Sequence, residues 1–275
     1  MKVADCGQAT VTGMNPAYTV KPLLNQTTKP PARLATRIGY GVITGEGEGP
    51  GPDADAIQIT VFRDRVGNYE SAVSETLKAI SCCETMGLKY ILHPVGYFLS
   101  ETRLTEREEN LRALRFFARN AGEALIIHDE TTPWGSRLDG DFAGFYKNAL
   151  GELSEFCPVF VENACHTPDI KWFWSNFDAG VALDIGHLEA AGLNSEEFVE
   201  NLGVDILSRI GYVHIHRKNG IHMGGLNDHW GLTGECRELR AFRKLIGSTK
   251  DFTAIVEVVY KDEIENSMKL LKETL

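Results

Sequence analysis

Six apolar runs in this chain carry, at or near their ends, a residue able to hold charge or bind a metal. His93 ends YILH, His128 ends LIIH, Glu162 ends VFVE, Asp184 ends ALD, His214 and His216 alternate in VHIH, and Glu257 lies in IVEV. Singly, each has an ordinary explanation in a hydrogen bond to a neighbouring loop, since charged side chains are rarely buried unpaired. Three carboxylates brought together without counter-charge would repel one another, and burying one unpaired costs several kcal/mol. A bound divalent cation removes both objections. Four of the eight histidines also fall between Val213 and Glu235, in VHIHRKNGIHMGGLNDHWGLTGE, beside the basic pair Arg217 and Lys218.

Such residues need elements that place them at one point. Short β-branched runs at 56–62, 89–95, 124–129, 158–163, 180–187, 211–216 and 253–258 read as strands. Helical periodicity lies between most of them: Val73, Leu77 and Ile80 share one face, Leu111, Leu114 and Phe117 another, Phe198, Leu202 and Ile206 a third. Thr105 with Glu108, and Asn194 with Glu197, have capping-box spacing. Alternating strands and helices with nearly continuous apolar strands imply a parallel sheet covered by helices. Seven such strands at 275 residues predict a (β/α)₈ TIM barrel, whose site forms at the carboxyl ends of the strands. The remaining strand is expected upstream, at KVADC (2–6) or RIGYGVIT (37–44). The glycine-rich acidic stretch 45–55 reads as a loop, without the context of a phosphate cradle.

Composition narrows the function. With 28 basic and 38 acidic residues the formal charge is −10, which argues against a nucleic-acid partner. The six cysteines, Cys6, Cys82, Cys83, Cys157, Cys165 and Cys236, lack CxxC spacing and read as reduced thiols of a cytoplasmic protein. Neither a signal peptide nor a membrane span is expected. A homo-oligomer is left open.

VFVENA, VALDIGHLEAAG, YVHIH and AIVEV, in that order, resemble the last four strands of the xylose isomerase-like superfamily, which includes sugar isomerases and epimerases and endonuclease IV-type repair enzymes. The resemblance spans about residues 56–275; residues 1–33 match no pattern and form an N-terminal segment ahead of a barrel at 34–275. It implies a metal held by Glu162, Asp184, His214 and Glu257, with His187 contacting substrate or a further metal. Such an oxygen-rich set suits Mn²⁺, Mg²⁺ or Co²⁺. It also implies isomerisation or epimerisation of a small carbohydrate or its phosphate, Glu162 and Glu257 exchanging a proton at carbon through an enediolate. Arg217 or Lys218 could bind a distal hydroxyl or phosphate.

The alternatives are an endonuclease IV-like phosphodiesterase and a sugar-binding barrel without turnover. For the phosphodiesterase, His93 and His128 would join Glu162 and shift the preference to Zn²⁺. In that family a third metal uses an Asp-x-His motif in the seventh loop. Aligned on Asp228 and Gly234, this chain has Trp230 at the histidine position and His229 one residue early, and Cys236 replaces the final glycine. His216 and His229 stand as further metal or substrate residues, and His222 as solvated.

Overall fold

The computed structural model describes residues 37–43, 54–163, 169–218, 229–249, 251–258 and 261–275. The β-branched runs become β1 (Arg37–Ile43), β2 (Ala56–Phe62), β3 (Lys89–Val95), β4 (Leu125–His128), β5 (Val159–Glu162), β6 (Gly180–Asp184), β7 (Ile210–Ile215) and β8 (Thr253–Val256). They pair in chain order, all parallel, and β8 closes on β1 to complete the barrel. The first strand is therefore the RIGYGVIT segment; KVADC lies outside the described residues, as do 45–53 of the acidic loop. The helices are α1 (Arg63–Val66), α2 (Tyr69–Thr85), α3 (Leu104–Asn120), α4 (Gly140–Ser154), α5 (Ile170–Asn176), α6 (Ile185–Ala190), α7 (Ser195–Glu200), α8 (Val204–Leu207), α9 (Arg237–Ile246) and α10 (Lys261–Thr274). No helix among the described residues is long and apolar enough to cross a membrane. The described cysteines, Cys82, Cys83, Cys157 and Cys236, are free thiols.

Strands β2 to β8 are largely buried on both faces, and the two faces do different work. One face joins the helices in the large core, as with Ile57, Ile59 and Val61 of β2 against Ala72 and Ile80 of α2. The other contributes to a small interior cluster of Ala56, Ile91, Ala124, Ile126, Ala182, Tyr212 and Ile255, with Phe160 packed against it. Because side chains alternate along a strand, the residue two further on from each interior apolar group shares its face. That residue is Gln58 after Ala56, His93 after Ile91, His128 after Ile126, Glu162 after Phe160, Asp184 after Ala182, His214 after Tyr212 and Glu257 after Ile255. An apolar plug therefore lies beneath a polar layer at the carboxyl ends.

Several helical expectations shift. The buried stripe of α2 is Ala72, Thr76, Ile80 and Cys83, while Leu77 is 44% exposed. The small Ala72 and Thr76 let the helix lie close to the sheet, a stripe that a search for large apolar residues passes over. Helix α3 starts at Leu104 after Arg103, so Thr105 sits inside the first turn and caps nothing. Asn194 does cap α7, accepting from the Glu197 N–H. The face of Phe198, Leu202 and Ile206 spans two short helices, broken where Gly203 is extended. The strand expected at 180–187 stops at Asp184, whose side chain caps α6 by accepting the His187 N–H at 2.6 Å. His187 thus belongs to a helical first turn.

The plug constrains its neighbours. A Cβ on Gly180 or on Gly211 would fall 2.3 Å from the Phe160 ring, which meets Tyr212 edge-on with centroids 4.7 Å apart. We expect Gly211→Ala to destabilise the fold by about 1–3 kcal/mol through overpacking. Adding Phe160→Leu should restore part of that loss in chemical denaturation. Equal stability of the single and double variants would show that Phe160 is not what the glycine accommodates.

Candidate metal centre

Glu162, Asp184, His214 and Glu257 each bring one ligand atom to within 4.8 Å of the others. The first three are fully buried. His214 Nδ1 lies 3.0 Å from Glu162 Oε2, 3.5 Å from Glu257 Oε1 and 3.9 Å from Asp184 Oδ2. Even so, both Glu162 oxygens and His214 Nδ1 are buried without a hydrogen bond.

Gln58 explains how His214 is turned. Its amide nitrogen donates to Glu257 Oε1 and, at 3.3 Å, to Thr60 Oγ1. Its carbonyl oxygen therefore faces His214 Nε2 at 2.7 Å, and that nitrogen must be the donor. The imidazole is left with a lone pair on Nδ1, aimed at carboxylate oxygens that also have only lone pairs. Acceptors converging on one point are satisfied by a cation. The electrostatics agree. Burial alone would raise the Glu162 carboxyl, yet His214, His93 and His128 hold it well below the usual range. Burial opposes charge on His214, but Glu162 and Glu257 push it up to about 9, so a proton and a divalent cation compete for the Nδ1 lone pair.

Further imidazoles surround the same carboxylate. His93 donates from Nδ1 to the Ile126 carbonyl at 3.1 Å and turns Nε2 to Glu162 Oε2 at 3.2 Å. His128 Nε2 is 3.7 Å from that oxygen, and burial lowers this histidine to about 4, so it is neutral and offers a lone pair. His93, His128 and Glu162 form a second group with metal-ligating spacing, and His187, His216 and His229 another. Asn163 ties the ends of β5 and β6 together, exchanging 2.8 Å hydrogen bonds with the Asp184 backbone.

No family model matches the sequence, and no curated protein matches it. Solved structures do match the fold. A D-tagatose 3-epimerase-like protein aligns over 87% of this chain and 97% of its own, with TM-score 0.64 and 17% identity. A xylose isomerase domain protein from Alicyclobacillus acidocaldarius aligns over 79% and 88%, with TM-score 0.51 and 17% identity. The chain has the xylose isomerase-like barrel fold. Endonuclease IV from Thermus thermophilus shares it, over 86% of this chain and 99% of its own, with TM-score 0.54 and 15% identity.

In this xylose isomerase-like barrel the remaining sequence candidates divide. His187 Nδ1 lies 3.1 Å from the Asn163 carbonyl, 3.3 Å from Glu162 Oε1 and 3.4 Å from Asp184 Oδ2. His216 accepts the His229 N–H on Nδ1 at 2.9 Å, so its other nitrogen carries the hydrogen that faces Asp184 Oδ1 at 3.2 Å. His216 therefore positions Asp184. Its ring stacks on His229 at 4.1 Å, and a Cβ on Gly186 would fall 2.2 Å from it. His229 has φ 61°, a left-handed backbone that no other described non-glycine residue adopts, and its Nε2 lies 3.5 Å from Glu257 Oε2.

The basic pair binds the protein's own loops. Arg217 Nε donates to the Gly231 carbonyl and Lys218 Nζ to the Glu189 carbonyl, both at 2.9 Å. Asp228 and His222 lie outside the described residues. Gln58, Asn163 and Glu130 are additions that the motif search passed over; a lone amide within AIQITVF was the available signal for Gln58.

Glu130 joins two loops near this centre. Its carboxylate accepts the N–H groups of Leu99, at 2.8 and 2.9 Å, and of Ser100, at 2.6 Å. Burial nevertheless pushes it up to about 7, against the opposing pull of those amides. Because the folded value lies above the unfolded one, the stability from the retained proton is complete below pH 4.5. It is lost as pH rises through about 7. Wild-type unfolding free energy should fall between about pH 5 and 7.5 by on the order of 2 kcal/mol more than that of Glu130→Gln. Parallel pH profiles would contradict this.

Gln58→Leu should keep the fold and weaken divalent-metal affinity by about 10–100-fold, because both His214 and Glu257 lose their orienting partner. Calorimetric titration with Mn²⁺ and Zn²⁺ measures it. Unchanged affinity for both ions would remove Gln58 from the site's support.

Proposed function

We propose that the chain is a divalent-metal-dependent isomerase or epimerase acting on a small carbohydrate or its phosphate. The observation supporting it is the convergence of three carboxylates and one oriented imidazole lone pair at the carboxyl end of the barrel. Glu162, Asp184, His214 and Glu257 would hold the cation, and their oxygen-rich set suits Mn²⁺, Mg²⁺ or Co²⁺. When bound, the cation would chelate neighbouring substrate oxygens and polarise a carbonyl, acidifying the adjacent C–H.

The remaining steps belong to the chain's own residues. Glu257 is the carboxylate of the four with an exposed edge, its side chain 11% accessible, and takes the proton from carbon. Glu162, on β5, returns to the enediolate a proton drawn from the neighbouring imidazoles that hold it ionised at rest, and Glu257 releases the abstracted proton to solvent, which resets the pair. His187, beside Glu162 Oε1, steadies the substrate oxygens. His229, beside Glu257 Oε2, shields that carboxylate from bulk water, and the apolar plug closes the floor.

A second reading, a Zn²⁺-dependent phosphodiesterase, draws on a specific feature. His93 and His128 face the same Glu162 oxygen, and such imidazole-rich groups suit additional, softer cations. Set against it is the acidic chain, since polyanionic nucleic acid is gripped by Lys and Arg.

Metal analysis of protein purified without chelator separates the readings, one Mn²⁺-like ion favouring the isomerase and two or three Zn²⁺ the phosphodiesterase. A panel of ketoses, aldoses and their phosphates in deuterated water with Mn²⁺, Mg²⁺ and Co²⁺ should yield deuterium at the carbon next to the carbonyl. Glu257→Gln should slow that exchange by on the order of 10²–10⁴-fold. If no sugar exchanges while an abasic-site oligonucleotide is cut with Zn²⁺, the isomerase reading gives way to the second.

A further inference from the structure

We infer that the chain carries a second binding site, for the phosphate or carboxylate group of a small molecule, in the cavity between the N-terminus of α2 and α3. This cavity has a volume of about 280 Å³ and is lined by Arg63, Asn68, Tyr69, Tyr97, Asn110 and Arg112, among others. None of these is among the residues assigned to the metal centre.

The telling group is the Tyr97 hydroxyl. Tyr97 is 8% exposed, lines the cavity, and its hydroxyl is buried without a hydrogen bond. The ring is held edge-on against Phe117, with centroids 5.2 Å apart, so the hydroxyl cannot simply swing to another partner. A buried hydroxyl with nothing to bond to costs stability that a phenylalanine would not, and its retention calls for a ligand or ordered solvent. Burial also pushes this phenol up to about 12, so it remains a donor at neutral pH and needs an acceptor.

The surroundings say what kind of acceptor. Helix α2 begins at Tyr69, and Asn68 Oδ1 occupies one first-turn amide, that of Ser71, at 2.8 Å. The start of a helix of this length carries partial positive charge. Arg63 follows β2 directly, is half-buried, and donates through one terminal nitrogen to Glu106 Oε1 at 3.5 Å. Arg112 is fixed over the Tyr69 ring, 4.0 Å from its centroid. Glu70 and Glu109 also line the cavity, but both are exposed and water screens them, whereas the phenol is buried and feels the charge of Arg63. A buried phenol donor beside Arg63, a half-buried guanidinium and a helix start together favour an oxyanion.

Calorimetric titration of the full-length chain with inorganic phosphate, and separately with malonate, tests the site. Saturable one-to-one binding of either is expected, and which one binds tells phosphate from carboxylate. Tyr97→Phe and Arg63→Gln should each weaken binding at least about tenfold, equivalent to about 1.4 kcal/mol. Asp184→Asn should leave it unchanged, so the outcome does not depend on the metal-centre reading. Without added anion, Tyr97→Phe should melt no lower than wild type. Absence of saturable binding of both anions, or equal binding by Tyr97→Phe and wild type, would overturn the proposal, and loss of binding in Asp184→Asn would relocate it to the metal centre.

Discussion

Glu162 has no exposed surface and no hydrogen bond to either oxygen. A bare carboxylate in that position is untenable without positive charge nearby, and the architecture around it answers that constraint. His93, His128, His187 and His214 approach it from β3, β4, the first turn of α6 and β7. Each is steered by a bond on its far side or by the barrel wall. The Ile126 carbonyl turns His93, the Asn163 carbonyl turns His187, and the Gln58 amide turns His214. The apolar plug of Ile91, Ile126, Ala182, Tyr212 and Ile255 excludes water from below. Strand closure and second-layer hydrogen bonds thus serve one buried charge.

Much of this was legible because a barrel interior leaves a plain mark on sequence. Alternation brings each strand's last inward residue into a common layer, so a single His, Glu or Asp at the end of an apolar run locates itself. Asp184 and His214 are register partners across β6 and β7, as are His128 and Glu162 across β4 and β5. Gln58 was harder to see, since its importance lies in having a donor and an acceptor on one group, and nothing in its spacing says so. Asn163 follows the motif residue Glu162 and acts on the next strand's backbone, a partnership fixed only by tertiary pairing.

Helix boundaries and faces were read less well, for local reasons. The stripe of α2 is built on small residues, and large-residue periodicity points one position away. Thr105 and Glu108 have capping-box spacing, but α3 opens at Leu104, two residues ahead of the start that a Thr105 cap would give. The run at 180–187 is apolar enough to continue as a strand, yet Asp184 caps α6 and ends it. That one residue both terminates the strand and turns its other carboxylate oxygen toward His187, which places His187 beside Glu162.

The close approach of Gly186 to His216 has an evolutionary reading. Any side chain at 186 would overlap the imidazole at 216, and that imidazole holds Asp184 in place. Substitutions at the two positions are therefore order-dependent. A lineage must first shrink or lose the ring at 216 before anything larger than hydrogen fits at 186, and the intermediate has already given up the support of Asp184. Reversal faces the same gate, because a restored imidazole finds its space taken. The pair thus couples the two positions, since room at 186 is gained only by giving up the ring that holds Asp184.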